Sequence, residues 1–433
     1  MKSKQVQEFK ETEIGKIPAD WEVTELENVA DVIDPHPSHR APQIVENGFP
    51  FAGIGDIAED GTIDVLSSRK IGEEFVKQQE KSYTIDEFSI GYGRVGTVGK
   101  IVQLRTQTFR YALSPTLAVI NPKNSIDKKF LNSVLYSRQF SNQVFARITG
   151  TTRPTLGIQQ LRKLLIMIPP IDEQKSIGKS LSDLTRKIQN LQNQNRILEQ
   201  TVQAIFQSWF VDFDGVNEFE DSELGKIPKG WITQKLGNVL IEIETGMRPK
   251  GGVSEIKSGI PSIGAESIRS MGIFDFKKIK FVDEEFFNKM KRGIIKNRDV
   301  LLYKDGGKPG TFIPYVSFFG DGFPFETCVI NEHVYRLRIN DKLSQIFLYF
   351  WLSSGKIIHE METRATGAAQ PGLNSTQVKS LPILIPKNYL IRKFDNISQP
   401  LISSLFSNCK KIQSLTKTRD TLLPKLMSGE IRV

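Results

Sequence analysis

Glu13-Ile14-Gly15-Lys16-Ile17-Pro18-Ala19-Asp20-Trp21 lies near the start of the chain, and it returns as Glu223-Leu224-Gly225-Lys226-Ile227-Pro228-Lys229-Gly230-Trp231. Leu26, Asn28 and Val29 recur as Leu236, Asn238 and Val239 at the same offset of 210. Gly53, Ile57, Gly61 and Asp64 match Gly264, Ile268, Gly272 and Asp275 at 211, and Tyr92, Gly96 and Gly99 match Tyr303, Gly307 and Gly310 at the same offset. Phe130, Leu131, Leu135 and Ser137 match Phe347, Leu348, Leu352 and Ser354 at 217, as Thr149, Gly150, Pro154 and Leu156 match Thr366, Gly367, Pro371 and Leu373. A repeat of this length decides the architecture. Two copies, the second carrying a few inserted residues, make a pseudo-dimer in one polypeptide.

Each copy ends in a heptad-like helix. Ile177, Leu181, Leu184, Ile188, Leu191, Asn195, Leu198, Val202, Ile205 and Trp209 alternate spacings of 4 and 3, the a/d seam of a coiled coil. Asp172 to Trp209 spans about 57 Å as one helix. Adding 217 gives a rougher seam through Phe394, Ser398, Leu401, Leu405, Asn408, Ile412, Leu415, Arg419, Leu422 and Leu426. Pro400 falls inside it and is expected to kink or interrupt the helix, and Pro424 to disturb its last turn. The repeat-related helices are expected to pair with each other, antiparallel, since neither polar flank offers an obvious domain face. Asn195 and Asn408 each put one polar residue in a seam, at different layers, where it can fix register.

Between the helices, apolar runs are short and broken by Gly, Pro, Asn and Asp, which predicts strands at Phe51–Ile57, Ser89–Tyr92, Leu117–Ile120, Leu164–Ile168, Ile279–Val282, Val300–Tyr303, Val334–Ile339 and Leu381–Ile385. Residues 127–147 and 342–362 have helical spacing. The fold class is therefore α+β: two repeat-related domains, pseudo-twofold symmetric, joined by two long helices pairing as an antiparallel coiled coil. The divisions fall at 1–170, 171–212, 213–386 and 387–433.

The chain of 433 residues carries a formal net charge of +9. Between Phe88 and Ile171, Asp127 is the sole acid against twelve Lys and Arg. Such a segment suits nucleic acid, through phosphate neutralisation and counterion release. There is no apolar run long enough to span a membrane, and the N-terminus is unlike a signal peptide. Two cysteines, Cys328 and Cys409, exclude a disulfide framework and a cysteine-rich metal site, and suit a cytoplasmic location.

Several familiar patterns fail on inspection. Phe51-Ala52-Gly53-Ile54-Gly55 resembles the glycine motif of S-adenosylmethionine methyltransferases, but its repeat partner, Ser262-Ile263-Gly264-Ala265-Glu266, keeps one glycine. The nearest string to a catalytic Asn/Asp-Pro-Pro-aromatic motif, Ile168-Pro169-Pro170-Ile171, has no polar group to hold an amine. Gly91, Gly93 and Gly96 spell GxGxxG without an acidic ribose partner at the required spacing, so tight turns account for both glycine sets. His36 and His39 find no cysteine partners and suit a loop better than a metal site. Asp212 and Asp214 have no counterpart in the second copy and read as linker. No catalytic residue and no metal ligand is assigned.

Contact chemistry is best supported in the basic stretch. Arg94, Lys100, Arg105, Arg110 and Tyr111 lie among turns and strands, and Arg147 and Arg153 flank the loop Thr149–Leu156, whose Thr151 hydroxyl suits phosphate. Lys304, Lys308, Arg364 and Gln370 hold corresponding places in the second copy. Arg suits guanine edges, Gln adenine, and Lys mainly phosphate.

Taken in order, these motifs resemble the specificity (S) subunit of type I restriction–modification systems, over essentially the whole chain. The resemblance rests on four features. They are the Gly-Lys-Ile-Pro-x-x-Trp at 15–21 and 225–231, the Thr-Gly-x-x-x-Pro-x-Leu loop in each copy, the Phe206-x-x-Trp209-Phe210 helix end, and the closing stretch from Leu422 to Glu430. The family implies two target recognition domains, each reading one half of a bipartite site on double-stranded DNA. It implies a helical spacer that docks two methyltransferase (M) subunits, with nuclease-translocase (R) subunits joining that core. Adenine N6 methylation would use S-adenosylmethionine held by the M subunit, with no cofactor on this chain and base flipping left to the partner. The residues leave alternatives open: the specificity subunit of a type I-like methyltransferase lacking a nuclease, a stand-alone DNA methyltransferase using Phe51–Gly55, and a coiled-coil scaffold without DNA binding.

Overall fold

The computed structural model describes residues 8–36, 42–58, 61–150, 152–306, 310–367 and 371–433. They form two compact units, Met1–Lys187 with Leu415–Val433, and Ile188–Ser414.

In the first unit a four-stranded antiparallel sheet runs in the order Ala30–Ile33, Leu117–Pro122, Ile90–Gly93, Ile101–Gln103. A three-stranded sheet follows the order Arg69–Ile71, Ile44–Ala52, Ala112–Leu113, the last pairing parallel. Glu22–Glu25 pairs with Leu165–Ile168, and the hairpin Phe9–Thr12/Gly15–Pro18 carries the repeated motif. The second unit repeats every ladder. Its four-stranded order is Leu240–Thr245, Val334–Ile339, Val300–Tyr303, Val316–Phe318, and its three-stranded order is Lys280–Val282, Ile260–Ile263, Val329–Ile330. Ile232–Lys235 pairs with Pro382–Ile385, and Phe219–Ser222 with Gly225–Pro228.

Backbone hydrogen bonds correct the repeat register at one strand. The amide of Leu156 donates to the carbonyl of Arg94, and that of Leu373 to Lys304; Gly96 donates to Pro154 as Gly306 does to Pro371. The offset there is 210, so Tyr92 corresponds to Leu302 rather than Tyr303. One residue of slip reverses a strand's faces. Tyr92 accordingly packs edge-on against Phe140 in the core, whereas Tyr303 stacks on Phe312.

The helical spacings at 127–147 and 342–362 each resolve into two helices, Lys128–Leu135 with Arg138–Arg147 and Gln345–Leu352 with Gly355–Arg364. The breaks fall at Ser137 and Ser354. Ser137 accepts from the amide of Phe140 as an N-cap, the usual role of a serine at a helix start.

Ile171–Phe210 and Asn388–Met427 are continuous helices of 40 residues each, about 60 Å long. The interruption expected at Pro400 is absent. Pro400 and Asn396, whose carbonyl loses its donor, both lie on the exposed face, where water can satisfy that carbonyl. Within the second unit, Asn195 donates to Cys409 Sγ at 3.3 Å and Asn408 to Gln194 Oε1 at 3.4 Å, while Phe206 meets Phe394 at 6.0 Å. Rising numbers on one helix meet falling numbers on the other, so the pairing is antiparallel. The two asparagines therefore sit beside each other rather than in separate layers.

Of the seam, Ile177, Leu181, Ile188, Leu191 and Leu405 are buried; Leu184, Leu198, Leu401, Ile412, Leu415 and Leu422 are half-buried. The helices also have domain faces, which the polar flanks concealed. Val202, Phe206, Phe210, Ile391, Phe394, Ile402 and Phe406 belong to the core of the second unit, and Ile177, Leu181, Leu426 and Met427 to that of the first. Arg432 finishes the first unit: it pairs with Asp20 and Glu173, and its guanidinium lies 5.9 Å from the ring of Trp21, whose indole donates to Glu173.

Candidate nucleic-acid interface

The segment with Asp127 as its sole acid is basic along the chain, but five of its twelve Lys and Arg meet acids in space. Arg94 is buried and paired with Asp34. Arg110 bonds Glu73 and Glu80 and sits 5.2 Å from the Phe49 ring. Those bonds hold both carboxyls below the ordinary glutamate range. Lys163 pairs with Glu25 and Glu27, Lys123 with Asp31, and Lys128 with Asp86. The compensating acids all come from residues 25–86, just upstream of the segment.

Other nominated side chains serve the backbone. Lys100 donates to the carbonyls of Ile54 and Ile57 at 2.8 and 2.9 Å. Arg147 bonds the carbonyl of Gln143, and Tyr111 that of Arg105. Lys304 pairs with Asp305, and Arg364 bonds Glu360 and Ser380. Arg105 and Arg153 are exposed, with no ion-pair partner among the described residues. Thr151, Lys308 and Gln370 lie outside the described residues, as does His39. His36 is buried among Phe51 and Phe75, and the sequence did not signal Arg138, exposed at the start of its helix.

The Thr-Gly loop follows the helix Arg138–Arg147 and bonds the chain just past the strand Ile90–Gly93, through Gly96 to Pro154 and Leu156 to Arg94. Thr149 exchanges both backbone hydrogen bonds with Thr155, as Thr366 does with Gly372. Gly150 and Gly367 take φ of 83° and 107°, which glycine adopts at little cost. Its shared residues therefore hold geometry, and exposed Arg153 at its tip is left for contact. Arg153→Ala should weaken DNA binding of the assembled complex several-fold and reduce its salt dependence by about one phosphate contact, read by titration at two salt concentrations. Unchanged affinity and slope would remove the assignment.

The glycine-rich strings are structural too. Gly53 donates to Asp56 Oδ2 and Ile54 to Thr116 Oγ1, closing a turn. A Cβ on Gly91 would meet Val102 Cγ2 at 2.8 Å, so that glycine permits close strand packing. Asp212 accepts from Gln207 and Asp214 from Ser208, finishing the long helix. No group of three or more His, Cys, Asp or Glu able to hold a metal occurs among the described residues. No helix among them is long and apolar enough to cross a membrane.

Between the strands of the second unit lies a cleft of about 450 Å³ lined by Arg248, Lys257, Glu266, Lys280, Glu332 and His333, among others. Lys280 pairs with Glu266, Arg248 with Glu332 at 3.4 Å, and His333 with Asp305. Four separate chain segments supply these residues, so no local motif announces them.

The sequence matches the family described as type I restriction modification DNA specificity domain twice, over residues 18–200 and 228–423. It is 27% identical to the type I restriction enzyme MjaIX specificity subunit of Methanocaldococcus jannaschii, covering 98% of this chain and 97% of that one. Against the EcoKI specificity subunit of Escherichia coli the identity is 20%, covering 96% and 90%. Among solved structures, the type I restriction–modification S subunit from M. genitalium superposes with a TM-score of 0.52 at 18% identity, covering 94% of this chain and 96% of that one. The fold is the same.

Proposed function

The chain belongs to the specificity-subunit family of type I restriction–modification systems, and on that premise we propose a division of labour along it. As a specificity subunit it gives its complex DNA sequence selectivity. Each globular domain reads one half of a bipartite, asymmetric DNA site, and the paired helices set the distance between halves. Two methyltransferase subunits dock on the repeated framework, nuclease-translocase subunits join them, and adenine methylation with S-adenosylmethionine belongs to the methyltransferase. The chain itself acts without catalysis, in the cytoplasm.

One observation carries this reading. The two copies keep every ladder and the same loop-closing hydrogen bonds, while side chains mounted on that frame differ. A kept frame suits two identical partners, and divergent side chains suit two different sequences.

Transplanting residues 22–170 from a homologue of different specificity should change one half-site and leave the other intact, as read by methylome sequencing. A change in both half-sites would refute the modular reading.

A further inference from the structure

The cleft of the second unit holds carboxylates that fold stability does not explain. Glu266 and Glu332 have side chains 31% exposed, and their partners Lys280 and Arg248 are 50% and 61% exposed. Ion pairs this wet contribute little to stability. Burial works against ionisation of Glu266, but the Lys280 ammonium and a backbone amide together outweigh it and hold the carboxyl below the ordinary range. It is thus an acceptor at neutral pH.

The repeat locates these residues on the frame. Asn331 donates its amide to the carbonyl of Ile263 as Ser114 does to Ala52, and Lys304 to His333 as Arg94 does to Thr116. Ser267 donates to Gly264 as Asp56 does to Gly53. By these bonds Glu266 occupies the place of Gly55, Glu332 that of Pro115, and His333 that of Thr116. Strand pairing puts Lys280 opposite Ser262 as Arg69 lies opposite Phe51. The first unit has no carboxylate at either position. Its turn is closed internally, Ser114 Oγ and Thr116 Oγ1 lying 2.7 Å apart. The same backbone therefore presents a closed hydroxyl turn in one copy and an open, charged cleft in the other.

We propose that Glu266 and Glu332 are specificity-determining residues of the second domain, accepting from the exocyclic amino group of a cytosine or adenine in the half-site it reads. This rests on the half-site reading above. A carboxylate accepts from cytosine N4 and repels an edge that offers only acceptors. In the free protein Lys280 and Arg248 mask the two carboxylates. On DNA their charge moves to phosphate, or to the guanine O6 and N7 beside the cytosine, and the acceptors are released. His333 meets Asp305 through Nδ1 and lies 3.5 Å from Glu332 through Nε2.

The test is methylome sequencing of cells carrying the full chain with its methyltransferase subunits, comparing the unaltered chain with Glu266→Gln and Glu332→Gln. The unaltered chain should yield one bipartite motif. Either substitution should relax a single position of one half-site, a position occupied by cytosine or adenine on one strand, lowering discrimination there roughly 10- to 100-fold. An unchanged motif with both variants overturns the proposal, as does relaxation spread over both half-sites. Should either variant abolish methylation, titration of its assembled complex with duplexes changed at each position of the half-sites decides: lost discrimination at one cytosine or adenine position of one half-site supports the assignment, and discrimination kept at every position ends it. If the unaltered chain gives no bipartite motif, the half-site reading fails first and takes this proposal with it.

Discussion

Arg336→Ala should cost the second unit about 3–5 kcal/mol of stability, because it strands the buried carboxylate of Asp299 beside two half-buried glutamates. Arg336 is 2% exposed and Asp299 fully buried. The guanidinium donates to Asp299 at 3.1 Å and to Glu244 at 2.6 Å, and lies 2.6 Å from Glu242 Oε2. That last approach is off the axis of a hydrogen bond, so Glu242 is a charge partner there and takes its hydrogen bond from Lys296 at 2.8 Å. Without Arg336 three acids face one another with Arg338 and Lys296 alone to compensate. Urea unfolding read by fluorescence checks this; a loss under about 1 kcal/mol, the worth of a surface pair, would contradict it.

The same network sets an acid limit. Glu242 is held below the ordinary range by Lys296, against burial and with help from Arg336. For Glu244, burial pushes up, and Arg336 with the Gly293 amide more than offsets it. Both folded-state values lie below the unfolded ones. The stabilisation is therefore complete above the unfolded range near pH 4.3 and is lost as pH falls through the folded values. Arg336→Ala should flatten that acid limb while leaving the slope at neutral pH unchanged.

Leu191→Asp should be comparably damaging by a different route. Leu191 is 3% exposed in the helix seam. Removing a buried leucine side chain costs about 2–5 kcal/mol, and a carboxylate put in its place must be desolvated or protonated. The expected result is loss of the assembled complex in gel filtration with methyltransferase subunits, or an insoluble chain. An unaltered complex would show that the seam does not hold the helices together. The neighbouring polar pairs, Asn195 with Cys409 and Asn408 with Gln194, are suited to fixing register rather than adding strength.

The repeat and the helical seam were legible in sequence because both are local or strictly periodic: Trp21 recurs as Trp231, and Ile177 to Trp209 keeps its spacing. What depends on burial was not. Pro400 reads as a breaker, yet its ring and the carbonyl it deprives both face outward. Arg94, Lys100 and Arg110 read as contact residues because their partners, Asp34, the Ile54 carbonyl and Glu73 with Glu80, lie 30 to 60 residues away. A run of like charge in sequence says nothing about which side chains meet. The cleft at Glu266 and Glu332 was equally hidden, since its walls come from four strands and loops that only the ladder brings together.

The sequence specificity we propose for this chain is exercised through a methyltransferase it does not itself contain. Methylome sequencing of cells carrying the chain, with and without its partner methyltransferase gene, tests it most directly. A bipartite N6-methyladenine motif that requires both genes is the expected result. Methylation deposited by the chain alone would contradict it and return attention to Phe51–Gly55.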